Sequence, residues 1–133
     1  LERSRPLYEV GKEGLAALSG QDGEMTEALR RIQLLHADFR GFLETAAPNS
    51  FDVIYFDPMF RYPVKRKENN MEGFRSAAVY DPLTEDVLQF AMRAARKKVI
   101  VKERPFSALF RTGLFTEIHG KRGQTTAYGV IKL

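Results

Sequence analysis

The 133 residues include no cysteine, no tryptophan and only two histidines, His36 and His119. Without cysteine there is no disulfide framework and no thiolate metal site, and two imidazoles alone do not close a zinc site. Any metal would have to be held mainly by carboxylates, and none is expected. No apolar run approaches the roughly 18 residues of a membrane span, and the opening LERSRPLYEV lacks the apolar core of a secretory signal. A cytoplasmic protein is therefore expected. There is no internal repeat, linker or low-complexity stretch. What remains is 44% hydrophobic and 29% charged, the composition of one globular domain.

Charge is unevenly spread. Residues 1–60 carry 6 Lys and Arg against 10 Asp and Glu, a net of −4, and residues 61–133 carry 15 against 7, a net of +8. A basic half of this kind suits a polyanionic partner.

Ser4 reads as a helix N-cap with Pro6 in the first turn, and Leu7, Val10, Gly14, Leu15 and Leu18 follow at helical spacing. A loop at 19–23 and a short helix at 25–31 lead to Ile32 to His36, an apolar run suited to a buried strand. After a helix at 39–46, FDVIYFDPMF at 51–60 has the β-branched and aromatic density of a strand covered on both faces, as in a parallel sheet. Residues 61–80 show no period and read as a long loop. Asp81 and Pro82 then open a helix whose apolar face runs from Leu83 to Ala95, with Arg96 and Lys97 at its end. KVIVK at 98–102 is a second buried strand, 106–111 a short helix, and 114–119 with 126–133 a closing strand pair. Strands alternating with helices predict an α/β fold, mostly parallel with an antiparallel C-terminal edge.

The ordered set Leu1-Glu2, LLHAD at 34–38, FDVIYFDPMF at 51–60 and VIVKERP at 99–105 resembles strands two to five of the class I S-adenosylmethionine-dependent methyltransferases. DPMF, the basic loop after it and VKERP together resemble the RsmJ-like group, which methylates the exocyclic amine of a guanine in small-subunit ribosomal RNA. The resemblance implies a Rossmann-like sheet, S-adenosylmethionine as cofactor, and ribosomal RNA or the small ribosomal subunit as partner. One departure stands out: the family's first strand and Gly-rich turn have no counterpart here. The expectation is thus a sheet truncated at the N-terminus that binds the cofactor weakly and is inactive by itself.

Mapped onto this sequence, the resemblance implies a cofactor set of Glu2 on the ribose hydroxyls, Asp38 on the adenine amine, and Asp57. For Glu2 the competing reading is a solvated charge at a chain end, and for Asp38 a helix N-cap. A carboxylate leaving a buried strand at a crevice must be solvated, paired or functional, and Asp57 is the foremost catalytic candidate. With the Pro58 carbonyl it would draw the N–H groups of the amine, so that the nitrogen lone pair faces the methyl carbon. Phe60 offers a ring for an extruded base, although DPMF also reads as a plain strand-ending turn. Arg61, Lys65, Arg66, Lys67 and Arg75 in the basic loop, with Lys102 and Arg104 after the later strand, are candidate phosphate contacts; a solvated surface loop is the alternative. Tyr55 is assigned to the core and His36 to a structural role. Two other functions fit the same residues: an adenine or cytosine amino-methyltransferase, and a nucleic-acid-binding module without catalysis.

Overall fold

The computed structural model describes residues 1–19, 23–58, 72–121 and 123–133. In chain order the elements are α1 (Arg5–Ser19), α2 (Glu24–Arg30), α3 (Phe39–Thr45), β1 (Phe51–Phe56), α4 (Glu72–Ala77), α5 (Glu85–Ala94), β2 (Ala95–Glu103), a 3-10 turn (Ala108–Arg111), β3 (Glu117–His119) and β4 (Ala127–Lys132). They fall into two compact units, residues 1–41 with 68–79 and residues 42–67 with 80–133.

In the first unit the capping expected at Ser4 is present. Its hydroxyl oxygen accepts from the Leu7 N–H at 3.4 Å, and its carbonyl takes the Tyr8 N–H at 2.9 Å. The same hydroxyl, buried, donates to the Ala77 carbonyl at 2.6 Å and so ties α1 to the end of α4. That short helix lies inside the stretch expected to be loop throughout. The strand expected at 32–36 is not formed. Only one parallel bridge, Glu2 to His36, joins it to the N-terminal segment, and Ile32 and Leu35 are 53% and 43% exposed. Two hydrogen bonds, from Glu2 N–H to Leu35 O and from Ala37 N–H to Glu2 O, fix a single residue pair and cannot propagate a ladder. His36 is structural, as expected: its Nε2 lies 3.0 Å from the Arg3 carbonyl and its ring packs on Tyr8 at 5.2 Å.

The second unit is built on a four-stranded sheet in the order β1-β2-β4-β3. β1 and β2 run parallel, joined by a crossover containing α5, while β4 is antiparallel to both β2 and β3. The described sheet is mixed, with the expected parallel pair and the expected antiparallel C-terminal edge both in place. Val87, Leu88, Ala91 and Ala94 of α5 are fully buried, as are Val99 and Val101 of β2. One apolar helix stripe over one strand face makes this core. Part of the other face is exposed. Val53 and Tyr55 are half-exposed, so β1 is not covered on both sides and Tyr55 is not a core residue.

Two boundaries differ from expectation. α5 begins after Thr84 rather than at Asp81: Thr84 is extended and Leu83 before it is buried outside the helix. β2 begins at Ala95, so Arg96 and Lys97 are strand rather than helix residues. Both face Asp52 on the neighbouring strand, at 3.6 and 3.4 Å, and Arg96 also donates to the Asn49 carbonyl at 2.7 Å. Arg93 closes the end of α3 by donating to the carbonyls of Leu43, Glu44 and Ala46 at 3.0, 2.7 and 3.2 Å, at the terminus where a helix runs short of internal donors. On β4, a Cβ at Gly129 would lie 2.6 Å from Phe110 and closer still to Phe115. Glycine here makes room for that T-shaped ring pair, whose centroids are 5.1 Å apart.

Candidate active site

The strongest chemical grouping lies where β1 and β2 end. Their parallel register pairs Tyr55 with Ile100 and Phe56 with Val101, and the next step sets Asp57 beside Lys102. Side chains two residues apart in a strand share a face, so Tyr55 and Asp57 project together. Lys102 pairs in turn with Tyr128 across β4. The result is a polar row across three strands, on the face opposite the apolar core.

Lys102 Nζ donates to Asp57 Oδ2 at 2.9 Å, and the Tyr55 hydroxyl approaches the same oxygen at 3.5 Å. Among the described residues no bond reaches Oδ1. The Asp57 side chain is 46% exposed and that of Lys102 28%, so the carboxylate opens to solvent with one oxygen held and the other available. The hydrogen bond that Lys102 donates to Asp57 raises the Lys102 pKa above its ordinary value, partial burial opposing it and the carboxylate charge adding to it. The Tyr55 hydroxyl is also shifted up, first by burial and then by the Asp57 charge. Lys102 thus stays an ammonium and Tyr55 a neutral phenol throughout the physiological range. Chemically, the arrangement holds one Asp57 oxygen between an ammonium and a phenol that both keep their protons at neutral pH.

The other candidates fall into three groups. Lys102, expected as a phosphate contact, spends its charge on Asp57. Arg104 is half-buried, with its N–H donating to Glu103 Oε1 at 2.7 Å. Phe60, Arg61, Lys65, Arg66 and Lys67 lie outside the described residues, as does the side chain of Arg75, whose backbone belongs to α4. Pro58 follows Asp57 directly on the described backbone.

Glu2 and Asp38 belong to the other unit. The isolated bridge sets Glu2 beside His36, with Asp38 two residues further along the chain. Glu2 Oε1 accepts from the Ser4 N–H at 2.6 Å, and Asp38 accepts from the N–H groups of Arg40 and Gly41 at 3.4 and 3.2 Å. Asp38 is thus the N-cap of α3. A carboxylate offers about four acceptor positions, so each retains capacity for a hydroxyl or amine donor. That donor chemistry fits a ribose and an adenine amine.

Sequence reading missed the Tyr55–Asp57–Lys102 cluster because the partners are 45 residues apart. The one available signal was position: Asp57 and Lys102 each stand at the end of an apolar run, and parallel neighbours end side by side.

Residues 1–125 match the family described as "Putative SAM-dependent methyltransferase". The chain is 31% identical over 132 residues to "Uncharacterized protein YpiP" of Bacillus subtilis, covering 99% of this chain and 51% of that protein. It is 31% identical over 144 residues to "Ribosomal RNA small subunit methyltransferase J" of Cellvibrio japonicus, covering 100% and 53%, and 35% identical over 120 residues to the protein of that name from Hydrogenovibrio crunogenus, covering 86% and 42%. The chain spans about half the length of the curated relatives it matches. No solved structure matches it. No helix among the described residues is long and apolar enough to cross a membrane. The mixed α/β sheet, the acceptor at its strand ends and these matches lead to one assignment: the chain belongs to the S-adenosylmethionine-dependent methyltransferase family.

Proposed function

We propose that this chain is the target-recognition and catalytic portion of an enzyme that methylates the exocyclic amine of a guanine in small-subunit ribosomal RNA. The observation that carries the reading is Asp57, a half-exposed carboxylate at a strand end whose Oδ2 is fixed by Lys102 while no bond among the described residues reaches Oδ1. S-adenosylmethionine supplies a sulfonium-activated methyl group. A guanine amine is a weak nucleophile because its lone pair is delocalised into the ring. Oδ1 of Asp57 accepts one of its N–H groups, which turns the nitrogen lone pair toward the methyl carbon. Bound beside it, the cofactor would give its methyl to that nitrogen with the S–C electron pair left on sulfur, and the Asp57 carboxylate or water would take the proton that the amine loses. Lys102 holds the Asp57 side chain in place through this step, so catalysis is mainly positioning and electrostatics. Glu2 and Asp38 hold the ribose and adenine ends of the cofactor by their remaining acceptor positions. Phe60 stacks on the target base, and Arg61, Lys65, Arg66, Lys67, Arg75 and Arg104 meet phosphates. The site of action is the cytoplasm, where ribosomal RNA is.

The name carried by the two ribosomal RNA methyltransferase relatives supports the RNA class, and the basic charge of residues 61–133 accords with it. Nucleosides released from small-subunit RNA after treatment with the full-length protein and S-adenosylmethionine test the proposal by mass spectrometry. Methylguanosine carrying the new methyl on its amine is the expected product. Methyladenosine or methylcytidine instead would overturn the guanine assignment, and no transfer to RNA would overturn the activity.

A further inference from the structure

Among the described residues Phe106 is the most exposed large apolar side chain, at 90%. A single exposed apolar residue is ordinary; the local architecture around this one is not. The Ser107 N–H donates to the Arg104 carbonyl at 3.0 Å, closing a β-turn whose two corner residues are Pro105 and Phe106. Proline fixes its own φ and suits the first corner. Beyond the turn, Ser107 Oγ accepts from the Leu109 N–H at 3.3 Å and caps the 3-10 turn. A closed turn bounded by a strand on one side and a capped helical turn on the other has little backbone freedom. Its outer corner nevertheless carries a phenyl ring pointed at water.

The placement gives this ring a use. Phe106 lies four residues past Lys102, so its Cα is within about 14 Å of that residue by chain length alone. The segment 103–111 holds Arg104 and Arg111 against Glu103, a net positive charge. A rigid aromatic corner in basic surroundings near a base-handling carboxylate matches the way single strands are gripped, with bases stacked on fixed rings and phosphates met by cations. We propose that Phe106 is a stacking platform for an unpaired nucleobase of the RNA, separate from the base placed at Asp57. The inference rests on the reading of the protein as an RNA methyltransferase and adds a second point of contact to it.

These 133 residues contain no tryptophan, which makes F106W a spectroscopic probe read against the parent emission. In the full-length protein, binding is measured to a short single-stranded RNA of mixed sequence and to its perfect duplex. F106A is expected to lose about 5- to 150-fold in affinity for the single strand, the range that corresponds to one stacked base, with a smaller loss for the duplex. F106W is expected to restore affinity, and its added indole emission to be quenched at saturating single strand. Unchanged affinity in F106A, equal losses on both RNAs, or unquenched indole emission in a saturated complex would each overturn the stacking role while leaving RNA methylation intact. Quenching that depends on protein concentration without RNA would identify a protein contact and also overturn it. Failure of the parent protein to bind either RNA is a separate result, which removes the RNA reading on which the inference rests.

Discussion

Replacing Lys102 by methionine keeps an unbranched side chain one atom shorter and deletes the ammonium that holds Asp57. At 2.9 Å, two unit charges attract by about 1.4 kcal/mol in bulk water and by about 6 kcal/mol at an effective dielectric constant of 20. Partly exposed ion pairs, however, contribute only about 0.2–1 kcal/mol once solvent and side-chain entropy are counted. With 28% and 46% of the two side chains exposed, the loss in folding stability should stay below about 1 kcal/mol. Catalysis should suffer more. Freed from Nζ, the carboxylate samples positions on the order of 1 Å from the productive one, a displacement that costs about 100-fold in well-oriented reactions. K102M should therefore lower kcat by about 10- to 100-fold, or about 1.4–2.8 kcal/mol of barrier, with little change in KM for RNA, and K102R should recover part of the rate. Steady-state kinetics on the full-length enzyme across a salt series decides the matter. If instead kcat is intact, KM for RNA rises and the slope of log affinity against log salt shrinks by about one phosphate contact, Lys102 is a phosphate ligand and its positioning role is refuted.

Alkaline pH gives a second test of the same cluster. Folding raises the pKa values of Lys102 and Tyr55, so above pH 10 the native state holds protons that the unfolded chain has released. Their contribution is fully present below the ordinary values of 10.5 and 10.0 and is lost as pH rises through the raised ones. Thermal unfolding followed by circular dichroism should show the parent losing stability above pH 10 more steeply than K102M; parallel curves would count against the pairing. At the far side of the sheet, G129A forces a methyl group against Phe110 and Phe115, and overpacking of this kind costs about 1–3 kcal/mol. Denaturant titration showing a change under about 0.5 kcal/mol would mean that the ring pair moves aside more easily than interior packing normally permits.

The parts legible in the sequence were those governed by local pattern. Ser4 and Pro6 announced α1, the Leu83 to Ala95 stripe announced a helix, and KVIVK and 126–133 announced strands that the sheet contains. The misses share a cause in non-local partners. Arg96 and Lys97 suit a helix end until Asp52 comes into reach, and then they extend β2. Ile32 to His36 has a strand's composition but pairs through one bridge only, because composition supplies no neighbour. Asp57 was legible as a carboxylate leaving an apolar run, whereas its union with Lys102 depends on parallel register, which no local window contains. Lys102 looked like one more cation on a basic half and proved to be the partner of the central residue. Phe106 looked like the first residue of a short helix; the Arg104 to Ser107 hydrogen bond makes it a turn corner instead.

Single-turnover methyl transfer by D57N, with RNA affinity measured on the same preparation, bears most directly on the account. An amide nearly the size of the carboxylate preserves shape but removes the charge that holds Lys102 and attracts the amine N–H. Loss of one preorganised electrostatic contact of this kind costs about 100- to 1,000-fold in rate, so the transfer rate should fall by that factor while RNA affinity stays within a few-fold of the parent. Transfer at the parental rate, or a loss explained wholly by weaker RNA binding, would show that Asp57 does not orient the methyl acceptor.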